Sequence, residues 1–551
     1  MNPTKTETKT VVIVGGVAGG ASCATRLRRQ SEHMRIIMVE RGKYVSFANC
    51  GLPYYVGGVI EEQDKLLVAD APLFKDRFNV DVRIEEEVVS IDRESKSVKI
   101  RRLSDNAIYD EPYDCLVLST GSKAIKPPLP GIDLPGIYTI KEIPDTNKVK
   151  TWIKDKDVRS AVVIGGGFIG LEMVENLRHL GIDVTLIEKQ TQLLPVIDRE
   201  MAHPIKETLE KNKVRVLMGE SVERFDQKGD GLTLTTSEGN KIDSDLVILA
   251  IGVTPENSLA KAAGLQLGSR GHVVVDSNMR TSDRNIFAIG DVIKTRSTII
   301  DQKVAIPLAG PANRQGRIAA DVIASRGRFF RGLQGTSICG FFGLTVATTG
   351  VTEKTLQNTS IDYGVVYAHP KHHVDYYPGA QEIFIKLLFD KLDGRILGMQ
   401  AVGTKGVERR VDVVAMAIQM KSTVFDLEEA ELCYAPQYGS AKDPVNIIGM
   451  IAANVMRGDL VITPWQDFGK DNAVLLDVRD EHEIKSRPVP NSMHIPLDQL
   501  RARLEELPKD RPIQINCGVG SRAYNAYRIL NQYGFNCSLM SGGTETWFRL
   551  Q

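Results

Sequence analysis

A strand, a glycine turn and a helix follow one another twice in this chain, with Gly15 and Gly165 in matching places, and no other feature limits the fold as strongly. In the first copy the β-branched run from Thr10 to Val14 ends in Gly15-Gly16-Val17-Ala18-Gly19-Gly20 and leads into a helical stretch from Ala21 to Gln30. Glycines let the backbone approach a pyrophosphate, which rests on the unpaired N–H groups at the positive end of the helix. A second strand, Ile36 to Val39, delivers Glu40 where a carboxylate can accept ribose hydroxyls. Val17 replaces the middle glycine of the fingerprint but leaves strand, helix and acid in place.

The second copy runs from Ser160 to Ile164, through Gly165-Gly166-Gly167-Phe168-Ile169-Gly170, along a helix to Leu180 and up a strand ending at Glu188. A single glycine turn can serve packing alone. Two, each with its acid, imply two dinucleotides, a flavin (FAD) and a nicotinamide. Glu188 favours NADH, because a carboxylate repels a 2′-phosphate, while Lys189 beside it leaves NADPH open.

At 551 residues the chain is too long for one hydrophobic core, so several domains are expected. Lys plus Arg equals Asp plus Glu at 69 each, so no global field favours nucleic acid or an anionic membrane. The polar start, Met1 to Thr10, and the lack of any apolar run of bilayer length predict a cytoplasmic protein without a membrane partner. Seven scattered cysteines without a CxxC pair argue against a disulfide framework and a zinc cage, and no metal is expected.

Cys50 stands ten residues beyond Glu40, within Ser46-Phe47-Ala48-Asn49-Cys50-Gly51-Leu52-Pro53-Tyr54. Gly51 and Pro53 frame a turn and a helix start, so Cys50 is expected to face a helix dipole that lowers its pKa. Positions 51 to 58 hold no second thiol. A single thiol beside a flavin can cycle as a sulfenic acid while reducing oxygen or peroxide, or as a mixed disulfide while reducing thiols, and the motif leaves both open. Cys23, Cys115, Cys339, Cys433 and Cys537 read as structural.

Two further strand-like segments end in glycine: Cys115 to Thr120 and Gly121, and Asn285 to Ile289 with Gly290 and Asp291. With the fingerprints they make the chain resemble the two-dinucleotide disulfide reductase superfamily. The resemblance implies that Gly290 and Asp291 contact the FAD ribityl chain, that Thr120 and Gly121 lie near a ligand, and that Phe168 is a movable cover on the nicotinamide side. It also implies interleaving: an FAD domain of residues 1–155 and 285–335, and an NAD(P)H domain of 156–284.

Closer still, the SFANCGLPY motif, His369-Pro370-Lys371-His372-His373, Tyr376-Tyr377-Pro378-Gly379, Tyr434-Ala435-Pro436 and Gly439 to Pro444 resemble the coenzyme A-disulfide reductases over about residues 10–455. That resemblance implies a homodimer with a dimerisation domain at 336–455. It also implies a mixed disulfide of Cys50 with coenzyme A, and protonation of the departing thiolate by Tyr376 and Tyr434 of the other subunit, with Tyr377 an alternative to Tyr376. Family position makes Ser22, Arg26, Arg29, Ser46, Asn49, Asn313 and Lys442 the substrate contacts, while Arg28, in a charged run on a helix, reads as a solvated charge. Phe78 stands where members can carry a coenzyme A-contacting lysine.

A polar, irregular stretch at 456–469 reads as a linker before a new α/β pattern at 470–551. There a strand from Ala473 to Leu476 runs into Asp477-Val478-Arg479, and a strand from Ile513 to Asn516 delivers Cys517-Gly518-Val519-Gly520-Ser521-Arg522 at the mouth of a helix. Such a loop aims N–H groups inward as an anion nest for a thiolate or persulfide, with Arg522 fixing it. The segment resembles a rhodanese sulfurtransferase domain.

The expected fold is therefore α/β: two Rossmann-like dinucleotide-binding domains, an α+β dimerisation domain and a C-terminal α/β rhodanese domain. The expected activity is FAD-dependent reduction by NAD(P)H of coenzyme A disulfide, coenzyme A persulfide or polysulfide at Cys50, with Cys517 handling sulfane sulfur. The alternative is an NADH oxidase or peroxidase cycling Cys50 through sulfenic acid. Partners are small sulfur compounds, and a carrier such as coenzyme A persulfide is expected to link the two cysteines.

Overall fold

A computed structural model describes residues 9–549. The chain forms two compact units, one taking it as far as Thr191 and again over Lys213–Leu333, the other holding Gln192–Asn212 and everything from Gln334 onward.

In the first unit the two fingerprints build two five-stranded parallel sheets of matching design. In the first sheet Thr10–Val14 is central, flanked by Arg35–Glu40 and then Asp81–Ile84 on one side, and by Cys115–Leu118 and then Ile286–Ala288 on the other. In the second, Ser160–Ile164 takes the centre, between Asp183–Glu188 and Arg215–Met218 on one side and Leu246–Leu249 and Ile137–Thr139 on the other. Runs such as Val11-Val12-Ile13 are fully buried because helices cover both faces of a parallel sheet. Each sheet carries a three-stranded antiparallel meander, Glu86–Asp92 to Ile108–Pro112 and Val222–Lys228 to Lys241–Ser244, before its late strand.

The sheet membership corrects one expected boundary. Ile137–Thr139, assigned from sequence to the flavin half, pairs with Leu246–Leu249 and is the edge of the second sheet. The strand has only three residues, too few for a period to declare its partner.

The second unit holds a five-stranded antiparallel sheet, with Ile396–Gly403 at its middle, and a five-stranded parallel sheet in the order Ile462–Thr463, Cys537–Met540, Ile513–Asn516, Val474–Asp477, Met493–His494. The expected linker is partly this sheet's edge: Ile462 and Thr463 pair with Leu539 and Met540, and Gly469 N donates to Gln514 Oε1 at 2.7 Å. Its irregular sequence hides a strand of two residues.

Helix Arg199–Lys211 belongs to this unit although sequence order places it within the second nucleotide fold. Buried charge holds it there. Lys386 Nζ, on strand Ile383–Asp390, lies 2.8 Å from Asp198 Oδ2 and 2.7 Å from Glu353 Oε2, and also pairs with Glu200. Tyr367 Oη donates to Glu200 Oε1 at 2.7 Å, and Gln400 Nε2 to Asp198 Oδ2 at 2.6 Å. The three carboxylates could in principle frame a cation, and the lysine ammonium fills that role. No helix among the described residues is long and apolar enough to cross a membrane.

Candidate functional site

The two fingerprints make the same demands of their first and last glycines. Gly15 and Gly165 have φ of +96° and +108°, in the left-handed region that side chains disfavour. A Cβ on Gly20 would overlap the Gly15 carbonyl oxygen, and one on Gly170 the Gly165 carbonyl oxygen, so each helix crosses its strand at backbone contact. Space around the Gly167 Cα is open, as a phosphate approach requires. The first helix starts at Ala18, three residues before the sequence suggested, so Val17 sits at its cap.

The acids are also held alike. Glu40 accepts from Gly16 N at 2.9 Å and Gly42 N at 2.8 Å, and Glu188 from Gly166 N at 2.7 Å and Gln190 N at 2.8 Å. Backbone amides thus fix both carboxylates beside their glycine turns, with lone pairs left for ribose hydroxyls. Burial pushes the Glu40 carboxyl up, against the two amides that lower it. Thr120 Oγ1 donates to Glu256 O at 2.6 Å, and Gly121 follows in the left-handed region. Gly290 N donates to Gln315 Oε1, and Asp291 Oδ2 accepts from Ser122 Oγ at 2.8 Å, which in turn accepts from Lys141 Nζ at 3.0 Å. These cradles suit two dinucleotides.

Cys50 is exposed and free, in a 3-10 turn at Asn49–Gly51 that runs into the five-residue helix Leu52–Val56. Its surroundings reverse the expected acidification. Desolvation raises the thiol pKa most, the charge of Glu172 raises it further and that of Asp291 adds to this, while Lys141 opposes them. One short helix does not outweigh two carboxylates and burial. Glu172 is the residue the sequence reading missed. It lies one helical turn after Phe168, accepts from Tyr54 Oη at 3.3 Å, and has its carboxyl pushed up to about 7, mainly by burial. An acid on the face that follows a fingerprint was the available signal. Half-buried Phe168 opens the same helix.

The expected substrate residues divide. Arg26 is tied to the buried Asp321 at 2.7 Å, and Ser22 Oγ donates to Asn313 O at 3.1 Å. Arg29 is exposed, with its guanidinium 5.8 Å from the Phe78 ring centroid. Arg28 is not a solvated charge. It is 4% exposed and donates to five carbonyl oxygens, of Phe78, Asn79, Met34, Ser31 and Glu32, fastening the helix to the turns beyond it. Ser46 holds a left-handed φ of +48°, and Asn49 Nδ2 donates to Lys141 O at 3.2 Å.

In the second unit Tyr376 and Tyr434 present their hydroxyls to each other at 2.9 Å on an exposed surface, and Lys442 is exposed as well. The loop carrying Tyr434 is pinned by Arg409, which donates to Cys433 O and Tyr438 O, and by the buried pair Arg410–Asp443 at 2.8 Å. Asp443 also caps helix Pro444–Met456. Tyr377 instead packs edge-on against His373. Cys433 is exposed, unlike Cys23, Cys115, Cys339 and Cys537, which are buried as a structural reading requires.

Cys517 is fully buried at the end of strand Ile513–Asn516, and its Sγ accepts from Gly520 N at 3.2 Å and Ala523 N at 3.3 Å. The loop is closed from behind by Thr544 N and Glu545 N, which donate to Cys517 O and Gly518 O. The helix bearing these amides, Gly543–Phe548, docks on the antiparallel sheet: Thr546 Oγ1 and His369 Nε2 are 2.9 Å apart, and Tyr367 N donates to Ser541 Oγ at 2.9 Å.

Known proteins share this arrangement. The family model for pyridine nucleotide-disulphide oxidoreductases matches residues 9–316, that for their dimerisation domain 336–443, and that for rhodanese-like domains 465–550. A coenzyme A disulfide reductase of Staphylococcus epidermidis is 34% identical over 440 residues, which span 80% of this chain and 98% of that protein. The solved structure of reduced Bacillus anthracis CoADR-RHD is 46% identical with a TM-score of 0.97, over 98% of both chains. A NAD-dependent persulfide reductase from A. fulgidus is 37% identical with a TM-score of 0.90, over 98% of this chain and 100% of that one.

Proposed function

Because this chain belongs to the pyridine nucleotide-disulphide oxidoreductase family, with a rhodanese-like domain after its dimerisation domain, we propose that it uses NADH to reduce coenzyme A disulfide and persulfides at Cys50. The observation that carries the assignment to Cys50 is its position. Its exposed thiol stands in the turn that leads into helix Leu52–Val56, and Tyr54 of that helix donates to Glu172 Oε1 of the second nucleotide fold at 3.3 Å.

Bound FAD would supply two-electron redox chemistry between a nicotinamide and the Cys50 sulfur. Gly15, Gly20, Glu40, Thr120, Gly121, Gly290 and Asp291 would hold it, and Gly165, Gly167, Gly170 and Glu188 would hold the nicotinamide dinucleotide. Cys50 Sγ attacks one sulfur of the substrate, forming a mixed disulfide, and the other sulfur leaves with the bonding pair. Tyr376 and Tyr434 of the partner subunit give that leaving thiolate its proton. Partial desolvation of the sulfur and the Glu172 charge raise the Cys50 pKa, so loss of its proton is favoured when Glu172 is itself protonated.

Cys517 accepts sulfane sulfur, stabilised by the two amides on its Sγ. In the proposed route sulfur reaches Cys50 on a diffusible carrier thiol, of which coenzyme A is the candidate.

A substrate panel under nitrogen tests this function. NADH consumption is expected with coenzyme A disulfide, coenzyme A persulfide and polysulfide, and none without a sulfur substrate. Cys50→Ser should keep FAD and its reduction by NADH yet lose turnover; normal turnover in that variant sinks the mechanism. Cys517→Ser should lose sulfur uptake from a donor while still reducing a preformed coenzyme A persulfide. Loss of both activities in a folded variant overturns the carrier route.

A further inference from the structure

The Cys517 loop presents one arginine to an incoming donor, and that arginine is already occupied. Arg522 Nη1 lies 2.6 Å from Glu483 Oε2 and 3.0 Å from Asp480 Oδ2, and its Nη2 lies 2.7 Å from Glu483 Oε1. The pairing with Glu483 is bidentate, the strongest geometry a guanidinium and a carboxylate adopt. Arg522 in turn holds the Glu483 carboxyl down at about 2, so it stays charged throughout the neutral range. The remaining arginines of the domain's nearby turns are also committed, Arg479 to Asp477 at 2.7 Å and Arg487 to Glu545 at 3.8 Å and the Phe548 ring at 3.9 Å. What is left for the ligand is backbone, the amides of Gly520 and Ala523 on Sγ and the other N–H groups of the loop, beside the exposed apolar side chain of Val519. Amides suit the single negative charge of a thiolate or persulfide, whereas the two carboxylates on Arg522 leave that rim with net negative charge, which opposes a dianion.

We propose that Glu483 and Asp480 are specificity residues. By occupying Arg522 they make the Cys517 loop a site for sulfane sulfur carried on an uncharged alkyl end, and disfavour dianionic donors such as thiosulfate. The inference rests on the reading of Cys517 as a sulfur carrier and names the chemistry of its donor and acceptor. The pantetheine end of coenzyme A fits that class, since its charges lie at the far end of the molecule. In the transfer, the Cys517 thiolate attacks the terminal sulfur of R–S–SH. The Sγ–S bond forms as the donor S–S bond breaks, the electron pair leaves on RS⁻, which takes a proton from solvent, and Cys517 becomes Cys–S–SH. No external oxidant or reductant is needed.

The test uses the full chain, with single-turnover loading of Cys517 read as cyanide-releasable sulfur and as one added sulfur by mass. The probes are thiosulfate, a dianion, and N-acetylcysteamine persulfide, which carries at most the single charge of its terminal sulfur on an uncharged carrier. Wild type should load from the persulfide at least tenfold faster. Asp480→Asn with Glu483→Gln should raise the thiosulfate rate at least fivefold and leave the persulfide rate within twofold. Because Asp480 and Glu483 form the capping box of helix Glu481–Ser486, a second variant leaves the pair alone. Val519→Lys adds a cation at an exposed position and should raise the thiosulfate rate in the same sense. Equal loading from both donors in wild type, or an unchanged rate ratio in both variants, overturns the specificity. Loading that persists in Cys517→Ser overturns the carrier reading itself.

Discussion

Tyr376 and Tyr434 sit 58 residues apart in sequence and share a hydrogen bond of 2.9 Å between their hydroxyls. That bond, first among the causes, raises the Tyr376 pKa, since a phenol that engages a neighbouring phenol is harder to ionise. In the proposed mechanism the two groups would act as one proton source.

Each single Tyr→Phe change should slow protonation of the leaving thiolate about tenfold or more, and the double change should be worse than either but less than the product of the two. Flavin reduction by NADH should be unaffected. Mixing Cys50→Ser subunits with double-tyrosine subunits should restore part of the activity; no recovery despite demonstrated subunit exchange would place the tyrosines with their own cysteine or outside the site.

Glu188→Ala should weaken NADH binding more than NADPH binding, because a ribose partner and a charge that opposes a 2′-phosphate are lost together. The ratio of the two KM values measures this, and an unchanged ratio would mean that Glu188 serves only to brace Gly166.

Glu172→Gln should make Cys50 easier to ionise, since a carboxylate that raises the thiol is gone. The pH profile of alkylation of reduced enzyme should move to lower pH. Stability should respond with the opposite pH sense from a salt-bridged acid. A carboxyl raised to about 7 costs the folded state nothing below its ordinary value of 4.5 and most above 7. The glutamine variant should therefore gain on wild type as pH rises from 5 to 8, by at most about 3 kcal/mol. An equal melting difference at both ends would remove titration as the cause.

Lys386→Met leaves Asp198, Glu200 and Glu353 facing one another without their cation. Unpaired buried charge of this kind costs about 3–5 kcal/mol. The loss in melting temperature should shrink as pH falls from 8 to 5, because carboxylates deprived of the ammonium then take up protons. A pH-independent loss would point to packing instead.

What the sequence made legible was whatever has a local rule behind it. Gly15, Gly20 and Glu40 follow from the geometry of one turn, and so do Gly165, Gly170 and Glu188. Arg28 has no such rule. Its five carbonyl partners come from turns at 31–34 and 78–79, and a guanidinium can be buried only once those turns exist. Ile137–Thr139 and Ile462–Thr463 are too short to show alternation, so only pairing reveals their sheets. The Cys50 environment failed for the same reason: its helix was visible, but Glu172 and Asp291 arrive from 122 and 241 positions away.

The docking of helix Gly543–Phe548 has a consequence for shortening the gene. His369 and the amide of Tyr367 are buried in this chain because Thr546 and Ser541 cover them, and Ile451 and Val455 lean into the core of the tail. Cutting the message after the reductase would not release a self-sufficient enzyme with clean edges. It would leave a sticky apolar scar beside two orphaned polar groups, prone to clumping until new surface residues evolved to wet it.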